Sequence, residues 1–480
     1  MYVYIYMENQ QVNSNIIMEI SSNNQAPTDL PTQDNIMDKV LQIKSITSNN
    51  VSAWEKNKND SDKTLENIIS ENSLRNLCVN RENNQQYNHL FSHTVEPRLP
   101  ITNQKSSGRC WIFAALNVAR REMIEKYKLK DFEFSQNYLF FWDKLERINY
   151  NLNRIIDTRN EDIESEIVRH ILGDPLCDGG QWDMIVNLVE KYGLVPKSSY
   201  QESFHSSRSA EMNNILQKLF RKSAYKLRLS QNPYDDKKKI MQNVYNLLCK
   251  FLGTPPKDFE WEYYDKNNKY HKLKKTTPID FYKDHVDFNF KDYVCVINDP
   301  RKKNPYNKLY TVKYLGNVEG GNRVLYLNVE IKKIKELIEK NISDNKAVWF
   351  GCDVGQNLSR SNCAMDLELV NYGEVLETDL SSTKEERLLS KESLMTHAMC
   401  ITGFNRIDDY HHTIDKWQVE NSWGKSDAAE GYYIMSDKWF DEYVYEIAIN
   451  KKYLSEEQLK ILDSNEVTTL NPWDPMGSLA

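Results

Sequence analysis

From position 110 onward, apolar side chains recur at Ile112, Ala115, Leu116, Ala119 and Met123, while Asn117, Arg120, Arg121 and Glu122 fall off that line. The spacing predicts a helix with one buried stripe, and Ser106, Ser107 and Gly108 are its expected cap and entry residues. Far downstream, His-Ala-Met-Cys-Ile-Thr-Gly-Phe at 397–404 reads as a buried strand. A polar loop is expected over 405–415, then a second strand from Lys416 that ends in the turn signal Asn-Ser-Trp-Gly at 421–424. Between these regions lie helical patterns over 212–225 and 239–252 and a strand-like segment, Tyr293–Ile297. No apolar run approaches the ~18–20 residues that a membrane span needs. Residues 1–35, rich in Asn, Gln, Ser and Thr from position 8 on, are expected to form a disordered extension.

The first helix begins at Cys110, so its thiol would sit where unpaired N–H groups and the helix dipole favour negative charge. A thiolate is the nucleophilic form of cysteine, yet a free cysteine is just as readily a small buried residue. The two strands downstream separate these readings. Paired as an antiparallel hairpin, the start of the first lies opposite the end of the second, which brings His397 beside Asn421. A Cys, a His and an Asn that orients the His are the nucleophile, base and orienter of a cysteine protease. Each has an ordinary structural role when taken singly. Together they point to one chemistry.

With Cys-Trp at the helix start, Gln104 six residues earlier, His-Ala and Asn-Ser-Trp-Gly, the chain resembles the papain-like cysteine peptidases. Within them it resembles the bleomycin hydrolase family, on Gly-Arg-Cys-Trp-Ile-Phe-Ala-Ala-Leu-Asn (108–117), Phe-Ser-Gln-Asn-Tyr-Leu-Phe-Phe-Trp-Asp-Lys (134–144) and Asp-Gly-Gly-Gln-Trp (178–182). Ala-Val-Trp-Phe-Gly-Cys-Asp-Val-Gly (347–355) and the final Pro-Trp-Asp-Pro-Met-Gly-Ser-Leu-Ala (472–480) complete the set. The resemblance spans roughly residues 60 to 480. It implies Cys110 as nucleophile, His397 as general base and acid, and Asn421 as orienter of the imidazole. It further implies Gln104 as oxyanion donor with the Cys110 N–H, and Trp423 as a shield over the His–Asn bond. The implied Cys–His ion pair would give a thiol pKa of very roughly 3–4, the magnitude of the papain case. In the same context, Gly179 and Gly180 are expected to let an extended peptide pair with their backbone.

Eight cysteines, at 78, 110, 177, 249, 295, 352, 363 and 400, form no Cys-x-x-Cys pair, so neither a metal site nor another cofactor is expected. Secreted papain-like enzymes carry a cysteine three residues before the nucleophile, bonded to the Cys of a Cys-x-Gly-Gly loop. Here the first position is Ser107 while the loop keeps Cys177-Asp178-Gly179-Gly180. That disulfide cannot form, which fits a reducing compartment, the cytoplasm. The first eight residues have no basic region, so a secretory signal is not expected.

The Cys110–His397 spacing far exceeds the ~130–150 residues of simple papain-like enzymes, so the catalytic fold should hold an insertion. Residues 211–340 carry 27 Lys and Arg against 16 Asp and Glu, a net of +11, against −7 for the 480-residue chain. Such asymmetry marks either an anion-facing or partner surface or a solvated basic subdomain.

The expected class is α+β: a two-lobed papain-like fold, one lobe helical and one β-barrel-like, with a large, mostly helical, basic insertion and an extended C-terminal arm. The expected segments are 1–35 extension, 36–95 packing on the catalytic fold, 96–204 helical lobe, 205–345 insertion, 346–450 β lobe and 451–480 arm. Two prolines deny the tail a helix, and with Trp473 as anchor it could cross much of the cleft. On the resemblance, Met476 to Ala480 fill the subsites before the scissile bond, and the Ala480 carboxylate faces the substrate's free amine.

The leading expectation is a cytoplasmic cysteine aminopeptidase acting on peptides with a free N-terminus and able to hydrolyse the bleomycin amide. The resemblance implies a homohexamer with a central channel and weak, non-specific nucleic-acid binding; no membrane partner is expected. Two alternatives are an open-cleft endopeptidase and a nucleic-acid-binding ring with secondary peptidase activity.

Overall fold

The computed structural model describes residues 44–85, 87–408, 413–425, 429–464 and 466–479. The extension expected over 1–35 and the terminal Ala480 lie outside these. The chain divides after Leu77. The first unit carries helices Ser48–Lys56 and Asp60–Glu71, each opened by a reciprocal capping box, Thr47 with Asn50 and Asn59 with Asp62.

The second unit combines helices with one large sheet. Five of its helices are α1 (Cys110–Tyr127), α2 (Gln136–Asp157), α3 (Trp182–Tyr192), α4 (Ala210–Leu229) and α5 (Pro233–Leu252). The central strands are β1 (Tyr293–Ile297), β2 (Val348–Cys352), β3 (His397–Asp408), β4 (Thr413–Glu420) and β5 (Val444–Asn450), adjacent in the order β1-β5-β2-β3-β4 and all antiparallel. Alternation divides their side chains between two cores. Trp349, Ala398, Cys400, Tyr445 and Ala448 face the helical layer, while Val348, Phe350, Met399, Ile401 and Ile447 face the helix Ile331–Ser343. This mixture of helices and a large mixed sheet is the α+β class that the resemblance implies.

The basic segment 205–345 is divided between layers. Its first part forms α4 and α5 against α2, followed by a separate hairpin, Phe259–Tyr264 with Tyr270–Thr276. Its later part, β1 with Lys308–Val312 and Tyr326–Asn328, extends the sheet that carries His397.

Two local expectations need correction. The polar loop expected over 405–415 is shorter, because backbone pairing runs on through Asn405↔Lys416 and Asp408↔Thr413 with bulges. Polar side chains do not interrupt a ladder made by the main chain. Nor is α1 buried on one stripe only: Asn117, Arg120 and Arg121 are buried as well. Arg120 and Arg121 each hold one oxygen of Glu420, at 2.8 and 2.7 Å, and the Asn117 amide donates to Thr102 Oγ1. Buried charge is tolerated because it is paired, and the pairing fastens the end of β4 to α1 one residue before Asn421.

Candidate active site

Cys110 is the first residue of α1, after Arg109 at the cap position. The expected capping by Ser106, Ser107 or Gly108 does not occur: Arg109 caps without a side-chain bond. Ser107 Oγ instead donates to Gln104 O at 2.7 Å and accepts from Arg109 Nε at 2.9 Å. The guanidinium of Arg109, fully buried, also pairs with Glu202 at 2.9 Å. The first N–H groups of α1 are left to the sulfur, which takes hydrogen bonds from the Ala398, Trp111 and Cys110 backbone. The Ala398 contact places the thiol beside the residue that follows His397.

His397 opens β3, in register with Cys352 of β2, and β4 runs back so that Glu420 faces Cys400. Asn421 therefore emerges beside His397, as the hairpin reading predicts. His397 Nε2 lies 3.0 Å from Asn421 Oδ1, and the Trp423 ring lies over the imidazole with centroids 4.9 Å apart. Cys110, His397 and Asn421 are only 2, 4 and 1 % exposed, so burial governs the ionisation of the thiol and the imidazole. It pushes the Cys110 thiol up to about 11, against the backbone hydrogen bonds that favour the thiolate. It pushes the His397 imidazole down to about 4, with Asn421 opposing and Arg360 adding to the shift. Each group alone is held neutral, opposite to the charged state that the resemblance implies for the resting pair. A proton passing from Cys110 to His397 would leave no net charge in the site.

Gln104 joins the same network. Its Oε1 accepts from Ser422 Oγ and its Nε2 donates to Ser107 O, both at 2.6 Å. Ser422 N in turn donates to Asn421 Oδ1 at 2.7 Å. One residue thus connects Gln104 to Asn421.

The glycine loop lies against α1. A Cβ at Gly180 would meet the Trp111 ring at 2.5 Å, so only glycine permits this approach. Asp178, just before it, is a hub: its carboxylate accepts from Gly108 N at 3.1 Å and from Asn213 Nδ2 at 2.7 Å, pairs with Lys144 at 2.7 Å, and bonds Ser209 Oγ. Its backbone carbonyl takes Trp111 Nε1 at 2.6 Å. Burial would raise the Asp178 pKa, but the Lys144 charge and the hydrogen bonds from Lys144, Ser209 and Asn213 hold it well below the usual carboxylate range. The sequence offered no sign of this hub, since Lys144 comes from α2 while Ser209 and Asn213 come from the start of α4, far along the chain. All eight cysteines are free, Cys177 among them.

The C-terminal segment reaches both walls of the site. Gln181, next to Gly180, donates from Nε2 to Ser478 O at 2.8 Å. Ser478 Oγ donates to Met395 O, two residues before His397, also at 2.8 Å. The chain makes a single 3₁₀ turn at Pro475–Gly477 and buries Met476. Trp473, the expected anchor, is half-buried beside His170; the buried attachment is its neighbour Asp474, paired with Arg301.

The peptidase C1-like family model matches residues 45–477. The chain is 44 % identical to bleomycin hydrolase of Mus musculus over 428 residues, covering 86 % of this chain and 94 % of that one. It is 44 % identical to aminopeptidase C of Listeria innocua over 416 residues, covering 86 and 93 %. The crystal structure of PepW from Lactobacillus rhamnosis superposes with a TM-score of 0.88 at 40 % identity, covering 91 % of this chain and all of that one.

Proposed function

The chain belongs to the peptidase C1-like family, and on that premise we propose how it acts as a cysteine aminopeptidase. Cys110 gives its proton to His397 and its sulfur attacks the carbonyl carbon of the substrate's first peptide bond. The oxyanion that forms accepts from the Cys110 N–H and from the Gln104 amide. His397, held by Asn421 and shielded by Trp423, returns the proton to the leaving amine, and the shortened peptide departs. His397 then takes a proton from water. The hydroxide adds to the thioester, the first residue leaves as its free acid, and the thiol is restored.

Gly179 and Gly180 offer backbone groups to the substrate. The arm fills the cleft beyond the first residue, and the Ala480 carboxylate takes the free amine. The observation that carries this reading is the convergence of Cys110, His397 and Asn421 from three separate elements, with Ser478 tied to both walls beside them. Hydrolysis of the bleomycin amide is proposed on the likeness to bleomycin hydrolase alone. Free cysteines throughout support a reducing, cytoplasmic setting. A homohexamer is proposed on family resemblance alone.

The test is one peptide offered with a free and with an acetylated N-terminus. The intact chain should cleave the free form preferentially, and Cys110→Ala should cleave neither. A chain ending at Pro475 should gain cleavage of the acetylated form; if it remains a strict aminopeptidase, the role given to the arm is wrong.

A further inference from the structure

We infer that the buried pair between Arg301 and Asp474 sets the register of the C-terminal arm, and through it how many residues are released per cut. The inference rests on the reading that the arm closes the cleft. Arg301 is 2 % exposed, and its fork is fixed by its own loop before the arm is considered. Nε and Nη2 donate to the two oxygens of Asp299 at 2.8 and 2.7 Å. Asn304 donates to the same carboxylate at 2.6 Å, and Asn328 bonds both the N–H and the carbonyl of Asp299. The remaining face of the guanidinium receives Asp474, with Nη2 to Oδ1 at 2.7 Å and Nη1 to Oδ2 at 3.2 Å. A bidentate fork in a buried site discriminates sharply for a carboxylate.

Among the arm's other described attachments, the Ser478 hydroxyl on Met395 O at 2.8 Å also uses a side chain, but a single neutral bond selects far less than a bidentate ion pair, and the rest do not depend on side-chain identity on the arm. Tyr326 donates to the Met476 carbonyl at 3.1 Å and Gln181 to that of Ser478 at 2.8 Å. Any residue brought to those positions offers a carbonyl. Upstream, Val467–Leu470 pairs with Lys308–Val312 through the main chain, which is equally indifferent to side chains. These contacts hold the arm down. Asp474 decides which residue stands where.

A slip by one residue would set Trp473 or Pro475 before Arg301, leave its Nη1 without the Asp474 acceptor and take the Asp474 carboxylate from its partner. In extended chain it would also move the terminal carboxylate by about 3.3 Å, close to one residue of a bound peptide. The Asp474 carboxylate further accepts from Met476 N at 3.0 Å, which ties the 3₁₀ turn to the same point. Arg301–Asp474 is thus a positioning pair, remote from the reacting atoms, that acts through the arm.

The test uses the full-length chain carrying Asp474→Ala or, to keep the buried positive charge, Arg301→Lys. Rates on free and acetylated peptides are compared, and released fragments are identified by mass. Asp474→Ala should raise the acetylated-to-free rate ratio about tenfold or more, with dipeptides appearing among the products. Arg301→Lys should shift both in the same direction by less. A merely structural role would lower both rates together and leave the ratio and the product length untouched. An unchanged ratio with single-residue products in both variants, while the chain ending at Pro475 does change, overturns the inference and spares the arm. If that truncated chain is also unchanged, the reading of the arm fails, and the register pair with it.

Discussion

Asn421 Oδ1 accepts two hydrogen bonds at once, from His397 Nε2 at 3.0 Å and from Ser422 N at 2.7 Å. Two donors on one oxygen fix which end of the amide faces the ring, and an oxygen can only accept. The proton of neutral His397 is therefore on Nε2, and Nδ1 is the nitrogen free to take a proton. Asn421→Ala removes that constraint on tautomer and ring angle. The expected result is a fall in kcat on the order of 10²-fold, part of what general acid–base catalysis contributes, with a much smaller change in KM. Steady-state kinetics on a free-amine peptide check it.

Thiol reactivity separates the two groups' roles. Iodoacetamide at neutral pH should modify Cys110 ahead of the other seven cysteines, because its thiol lies against Ala398, next to His397, and can pass its proton to that imidazole. In His397→Ala the thiol titrates alone against its burial, so labelling should fall at pH 7 and climb only toward about 11. Adduct mapping by mass spectrometry across pH reads both. Preferential labelling of Cys352 or Cys400 in the unaltered chain would defeat the assignment.

Asp178→Asn should destabilise the fold by about 3–5 kcal/mol, the usual consequence of leaving a buried partner such as Lys144 uncompensated. The folded carboxyl has a depressed pKa, so its contribution is present above the unfolded value, ~3.9, and is lost as pH falls toward the folded one. The unaltered chain should therefore lose stability steeply below pH 4, and the variant should show a shallower acid limb. Urea unfolding at several pH values measures both.

Glu446 has the opposite sign. Burial raises its carboxyl to about 8, helped by the nearby Asp183 and opposed by a bond from Cys295. The protonated form belongs to the folded state, so its contribution is full below about pH 4.5 and is lost as pH rises through 8. Glu446→Gln should match the unaltered chain near pH 5 and exceed it in thermal stability at pH 8.5. Parallel melting curves at both values would refute this.

The residues around the chemistry were legible because they announce themselves locally. Cys110 stands at the head of a 3.6-residue pattern, and His397 and Asn421 stand at the two facing ends of one hairpin. What escaped the sequence are the partners that meet only after folding. Arg120 and Arg121 fall off the apolar stripe, and nothing nearby in the sequence reveals Glu420, some 300 residues away. Asp474 was overlooked beside the more conspicuous Trp473, since its partner Arg301 lies 173 positions earlier. The segment 205–345 stands out by charge, yet charge says nothing of edge strands, and three of its strands continue the main sheet.

Asp178 occupies the junction where secreted relatives place a covalent sulfur bridge, and joins the Gly108 turn to the glycine loop without one. A disulfide can be opened by a reductant or by exchange with a free thiol. A carboxylate offers neither of them anything to attack. When the loops part, the hub re-forms from the same groups with no chemical step, so an opened molecule is a recoverable one.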